Sequence, residues 1–162
     1  MFCQIGASPA VFNVQSAATE MTESQRNTVR ALIPMLVCRN GSSVIDFCKA
    51  AFGARELSRR TADDQSVVHA TLSIDGAMIM VHGEFPALGS RAPERNGSSS
   101  VVVYLYVESV DSTIENAVKA GAKILIPVNN MPWGDRTGRI LDPEGHVWNI
   151  STRFKDSQTS VA

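Results

Sequence analysis

Several common functional signatures are missing from this chain of 162 residues. No apolar run approaches the ~18 residues that a membrane span needs, so no membrane partner is expected. Basic and acidic side chains nearly balance, 15 against 16, for a net charge of −1 and a pI near 6.3. No basic face is evident, and no nucleic acid is expected. The cysteines, Cys3, Cys38 and Cys48, are odd in number and lack metal spacing. Cys38 and Cys48 fall in an expected strand and helix, where a buried small hydrophobe is the ordinary role, and this suits a reducing cytoplasm. The histidines, His69, His82 and His146, are too scattered to form a metal motif. Glu56 and Glu84 have no partner carboxylate at a defined spacing, and there is no phosphate-cradling glycine loop and no nucleophile elbow. Residues 1–28 lack the basic start and compact apolar core of a signal peptide and read as a mobile arm, with Met21 an alternative start.

What is present is an ordinary apolar fraction, 44%, and a repeated pattern. Val29 to Cys38 is an apolar run interrupted by Pro34, which predicts an edge strand or a strand with a bulge. Asn40-Gly41-Ser42 predicts a turn and helix cap; Val44, Ile45, Phe47, Cys48 and Ala51 then recur at helical spacing until Gly53. Arg55 to Arg60, Val67 to Ile74 and Ala77 to His82 read as strands, the last pair joined at Asp75-Gly76. Residues 84–99 are rich in Gly, Pro, Ser and charge and read as a linker. The order then recurs. Val101 to Val107 is a strand, and a helix capped by Asp111 carries Ile114, Ala117 and Val118. Lys123 to Val128 is a strand, and Arg139 to Leu141 pairs with His146 to Ser151. Phe52-Gly53-Ala54-Arg55 answers Ala120-Gly121-Ala122-Lys123, and Asp75-Gly76 answers Glu144-Gly145, at nearly one offset. Two βαβββ units are the simplest reading. Neither buries much surface alone, so the two pack together. The domain spans 29–153, as units 29–83 and 100–153, with a tail at 154–162.

Turn chemistry is densest between Trp133 and Trp148. Asp142-Pro143-Glu144-Gly145 combines a preset φ at Pro143 with the conformational freedom of Gly145. The preceding loop, Asn129 to Arg136, gathers polar and aromatic groups, as functional loops do.

Two βαβββ units in this order resemble the vicinal oxygen chelate superfamily of glyoxalase I, bleomycin-resistance proteins and extradiol dioxygenases. Trp133-Gly134-Asp135-Arg136, Asp142 to Trp148, and Ala51-Phe52-Gly53-Ala54 look like its PhnB-like branch. The resemblance covers about residues 30–153. It implies an α+β fold: a curved, mostly antiparallel eight-stranded sheet with helices outside and a cup inside. Metal-using members hold a divalent ion with side chains on the first and fourth strands of each unit. The matching positions here are Ile33, Met80, Val102 and Asn149. Isoleucine and valine ligate no metal, and a hard or borderline ion needs imidazole or carboxylate. No cofactor is therefore expected; a divalent metal enters only if the strand register differs.

Alternation places Met78, Met80 and His82 on one face of a strand, Val102, Tyr104 and Tyr106 on another, and Val147, Asn149 and Ser151 on a third. If these line the cup, it is an apolar pocket with phenol, amide and imidazole groups, suited to a flat or aromatic small molecule. Trp148 and Ile150 then face the helices. The sequence leaves open which face each residue of the strand after Arg136 takes. His69 reads either as a general base or as a histidine bonded inside the sheet; His146 reads as turn structure. Asp135 and Arg136 either clamp a ligand or brace the loop as a pair, and Trp133 is a lid or a contact residue. The preferred expectation is a small-molecule binder. Its rivals are a lyase, isomerase or dioxygenase on a vicinal oxygen substrate, metal-dependent or with His69 or a tyrosine as acid/base, and a protein interaction module. An exposed sheet edge and the apolar Ala31 to Val37 run favour a homodimer.

Overall fold

In the computed structural model, residues 31–96 and 99–153 are described. The expected arm, 1–28, and tail, 154–162, fall outside them. All the elements belong to the unit Ile33–Ala162. In chain order they are β1 (Met35–Cys38), α1 (Gly41–Phe52), β2 (Arg55–Thr61), β3 (Val67–Ile74) and β4 (Ala77–Gly83). A 3-10 turn at Pro86–Leu88 follows. Then come β5 (Val102–Tyr106), α2 (Val110–Lys119), β6 (Lys123–Asn130), β7 (Asp135–Leu141) and β8 (Val147–Arg153). This is the expected pair of βαβββ units in an α+β fold. The eight strands divide into two four-stranded sheets, ordered β1-β4-β3-β2 and β5-β8-β7-β6, in place of one continuous sheet. Within each sheet the first strand runs parallel to the fourth and the other pairs are antiparallel.

Local chemistry sets the boundaries. β1 begins only at Met35, later than the apolar run suggests. Pro34 has no N–H to give a ladder, although its carbonyl still accepts from Met80 N at 2.9 Å. The Asn40 side chain accepts from Ser43 N to cap α1, and Gly53, with φ 64°, ends it in the left-handed conformation. α2 is capped by Ser109, whose side chain accepts from Ser112 N, and not by Asp111, which sits in the first turn. A carboxylate is favourable there against the helix dipole. The buried face of α2 is Val110, Ile114 and Ala117. Val118 is exposed because one further residue turns the side chain about 100° around the helix. The 84–99 linker is partly ordered by a Phe85–Ser90 bridge and by Ala92 N donating to Glu84 Oε1 at 2.8 Å.

One core joins both units. Leu36, Leu72, Ile79 and Val81 from the first sheet, and Ile140, Trp148 and Ile150 from the second, bury one face of each sheet with α1 and α2. Phe52 of α1 packs on Trp148 of β8, ring centroids 4.9 Å apart. Strand alternation therefore turns the other face of each sheet outward. We call these the open faces.

Candidate functional site

The Asp142–His146 turn, so prominent in the sequence, joins the two units. Asp142 Oδ1 accepts from Glu144 N and His146 N, and Oδ2 accepts from Trp148 Nε1 at 3.1 Å. Glu144, 2% exposed, crosses to the first unit. Its Oε2 accepts from Arg39 N and Asn40 N at 2.9 and 3.1 Å, and its other oxygen pairs with Arg95. His146 Nε2 lies 3.6 Å from Cys38 Sγ. Burial holds the His146 imidazole below its ordinary pKa despite the carboxylates of Asp142 and Glu144. Burial likewise pushes the Cys38 and Cys48 thiols well above theirs, with Asp142 adding to it. Neither cysteine is a ready nucleophile, because that requires the thiolate.

The open faces carry the candidate ligand-binding residues. On the first sheet, Met35 lies beside Met80, and Met80 opposite Thr71; His82 lies opposite His69, and Met78 opposite Ser73. Opposed residues share a face. The His69 and His82 rings are 6.3 Å apart, His82 stacks near Phe85, and its Nδ1 bonds Gly83 O at 2.6 Å. On the second sheet one row runs Tyr104, Asn149, Arg139, and the next runs Tyr106, Ser151, Thr137. Ser151 Oγ donates to Tyr104 OH at 2.8 Å and shares a 2.6 Å bond with Thr137 Oγ1. Arg139 Nε donates to Asn149 Oδ1 at 2.7 Å. Tyr106 OH donates to Asp135 Oδ2 and accepts from Arg153, each at 2.9 Å. The Asp135 bond raises the Tyr106 pKa above the phenol range, so that hydroxyl stays protonated. The faces are solvated: Met35 is 54% exposed, Tyr104 45% and Tyr106 47%. Exposed aromatic and apolar side chains among polar partners suit a ligand-binding surface.

Other expectations about the loop change. Asp135 and Arg136 belong to β7, which is longer than expected, so the connection shrinks to Met131–Gly134. As strand neighbours they point to opposite faces and do not pair with each other. Arg136 leaves the open face and forks onto Asp111 of α2, with a third bond to Asn130. It braces the fold. Asp135 is buried beside Tyr106 and Arg153. Trp133, 60% exposed, sits at the tip of the hairpin. Arg139, Arg153, Thr137 and Met35 join the open faces unannounced. The signal for Arg139 and Thr137 was alternation back from Leu141, which needed the pairing with β8 to fix its phase.

Strand pairing also shows which residues lie beside Met80 and Asn149. The first-strand residue beside Met80 is Met35, and the one beside Asn149 is Tyr104. Ile33 precedes β1, and Val102 pairs with Val147. Across these laterally paired positions the donors are two thioethers, a phenol and an amide. Imidazole and carboxylate are missing from this set, so a hard or borderline divalent ion is not matched. Among the described residues no group of three or more His, Cys, Asp or Glu is placed to hold a metal ion. A separate open cleft of about 730 Å³ lies between the start of α1 and the β2–β3 turn, lined by Asn40, Ser42, Asp64, Gln65 and Phe85 among others.

Paired βαβββ units with two outward side-chain faces define a glyoxalase-like protein. The chain belongs to the Glyoxalase/Bleomycin resistance protein/Dioxygenase superfamily, whose family model matches residues 32–150. An uncharacterized Mycobacterium bovis protein, Mb0911c, is 36% identical over 133 residues, covering 80% of this chain and 88% of its own. The Mycobacterium tuberculosis protein Rv0887c matches equally, over 78% of its length. Among solved structures, TioX from Micromonospora sp. ML1 superposes with a TM-score of 0.60 and 26% identity, covering 76% of this chain and 98% of TioX. A glyoxalase/bleomycin resistance protein/dioxygenase family enzyme from Burkholderia phytofirmans PsJN gives a TM-score of 0.61 at 18% identity, covering 74% and 95%. That likeness concerns the fold alone. No described helix is long and apolar enough to cross a membrane.

Proposed function

We propose that this protein binds a small, planar aromatic or amphiphilic molecule in a cup made from its open faces, without a metal ion. The observation that carries this is their composition: thioethers and imidazoles on one sheet, tyrosines and an arginine-bound amide on the other, with Met35, Tyr104 and Tyr106 solvated. The four positions where relatives place metal ligands offer no imidazole or carboxylate. A cup needs two such faces. In one chain no described strand of either sheet pairs with the other sheet, and β1 and β5 remain edge strands. A second copy supplies the missing wall, the first sheet of one chain meeting the second sheet of its partner. Two free, buried cysteines suit the cytoplasm. The Trp133-Gly134-Asp135-Arg136 and Asp142 to Trp148 segments support placement in the PhnB-like branch.

The test is a thermal-shift screen of planar aromatic compounds with the full chain, because a ligand that binds only the folded state raises its melting temperature with concentration. Met80→Ala with Tyr104→Ala should abolish the shift. Light scattering should give a dimer mass. Elemental analysis should find no stoichiometric transition metal; zinc, nickel, iron or manganese retained through dialysis would overturn the reading. The enzyme alternative rests on His69, which lies on the same face as His82; turnover lost in His69→Gln would establish it.

A further inference from the structure

Charge on the open faces is one-sided, although the whole chain carries a net charge of −1. Strand pairing puts Arg55 opposite Ser73, Arg60 opposite His69 and Lys123 opposite Leu141. It puts Arg139 opposite Asn149 and Arg153 opposite Asp135. Each of these cations therefore shares its sheet's open face. The described strands contain the acids Glu56 and Asp135. Glu56 lies opposite the buried Leu72, on the helix side, and is bound to Lys49 and Arg59. Asp135 alone faces the cations, and Arg153 engages it. A recess lined by one sign of charge concentrates ions of the other.

Arg153 lies nearest the aromatic surface, its guanidinium 4.8 Å from the Tyr106 ring centroid, but Tyr106 and Asp135 already engage it; Arg139 is the cation in the row of Tyr104. Tyr104, Asn149 and Arg139 stand in one row across β5, β8 and β7. Neighbouring strands are about 4.8 Å apart, so the phenol and the guanidinium are separated by roughly two strand spacings. That matches a fused two-ring aromatic carrying an acidic group. Arg139 is already held: Nε donates to Asn149, and its terminal nitrogens bond no described residue. A guanidinium fixed at Nε with free terminal N–H groups is preorganised for a carboxylate. The Tyr104 and Tyr106 rings, 5.2 Å apart and inclined at 41°, give the aromatic body its contact.

We propose that the ligand is a planar aromatic carboxylate, its rings against Tyr104 and Tyr106 and its carboxylate on the free terminal nitrogens of Arg139. This rests on the cup reading above and adds the sign of the ligand's charge. Calorimetric titration of the full chain with 2-naphthoate and with neutral 2-naphthamide separates the two claims. The carboxylate should bind about tenfold or more tightly than the amide at low salt, as a charge-assisted hydrogen bond predicts. The gap should narrow in about 0.5 M salt. Arg139→Gln should close it, and Arg139→Lys, which keeps the charge and loses the fork, should restore part of it. Equal affinity of the two probes, or a gap that survives Arg139→Gln, overturns the charge assignment and leaves the cup standing. Absence of saturable binding by either probe overturns the cup reading and this inference with it.

Discussion

The β3–β4 and β7–β8 turns occupy the same place in their repeats and have opposite surroundings. Asp75-Gly76 is a tight two-residue turn, φ 46° and 85°, with nothing within 4 Å of a side chain built on Gly76. The Asp142–His146 turn is buried and holds the first unit through Glu144, Arg39, Asn40 and Arg95. The open faces diverge in the same way. One is thioether and imidazole; its counterpart is phenol and guanidinium. The repeat fixes position in the fold, while each copy's side chains decide what that position does. Of the two turns, one is solvent boundary and the other a joint between the units.

The sharpest way to break this comparison is to cut the joint. Glu144→Ala strands two backbone N–H groups and the Arg95 guanidinium. It should cost about 3 kcal/mol in urea unfolding, as loss of a buried, hydrogen-bonded charge does. Asp75→Asn at the equivalent turn should stay within about 0.5 kcal/mol. Equal effects would show that the turns are alike after all.

Glycine swaps give a smaller contrast. A Cβ on Gly145, φ 99°, would meet Glu94 O at 2.9 Å and Pro93 O at 3.1 Å, both backbone atoms. Gly145→Ala should cost more than about 2 kcal/mol, and Gly76→Ala only about 1 kcal/mol of backbone strain. Reversal of that order in thermal melts would count against the buried turn.

Acid should weaken the joint through His146. Its folded pKa lies below the ordinary 6.5, so the unfolded chain binds more protons as pH falls through that value. Stability contributed by the neutral imidazole is full above about pH 7 and declines below the unfolded pKa, toward the lowered folded one. The groups around it are Cys38, Asp142, Glu144 and Arg39. Melting temperature should fall from pH 7.5 to 5.5, by up to several degrees for about 1 kcal/mol. His146→Gln should flatten the profile; an unchanged profile would remove His146 as the cause.

The smallest effect belongs to the open face. Tyr104→Phe loses the hydrogen bond from Ser151 Oγ, yet Ser151 keeps Thr137. Stability should change by less than about 1 kcal/mol. A loss near that of Glu144→Ala would mark Tyr104 as structural and sharpen the second sheet's role differently.

Much of the architecture was legible in the chain itself. Helical spacing named the buried face of α1, Gly53 and Gly121 marked both helix ends, and alternation sent Trp148 and Ile150 to the core. These are local signals, carried by residues a few positions apart, and backbone geometry converts them directly into faces. Tertiary structure alone decided the rest. Glu144 meets Arg39 across 105 positions, His146 meets Cys38 across 108, and Arg136 meets Asp111 across 25. Arg139 reached the open face only because β7 pairs with β8 in a particular phase. No period or spacing records such pairings. The Glu144 and His146 contacts follow from the docking of two units that cannot bury their faces alone, whereas the Arg136 contact and the β7–β8 phase follow from strand register and helix packing within the second unit.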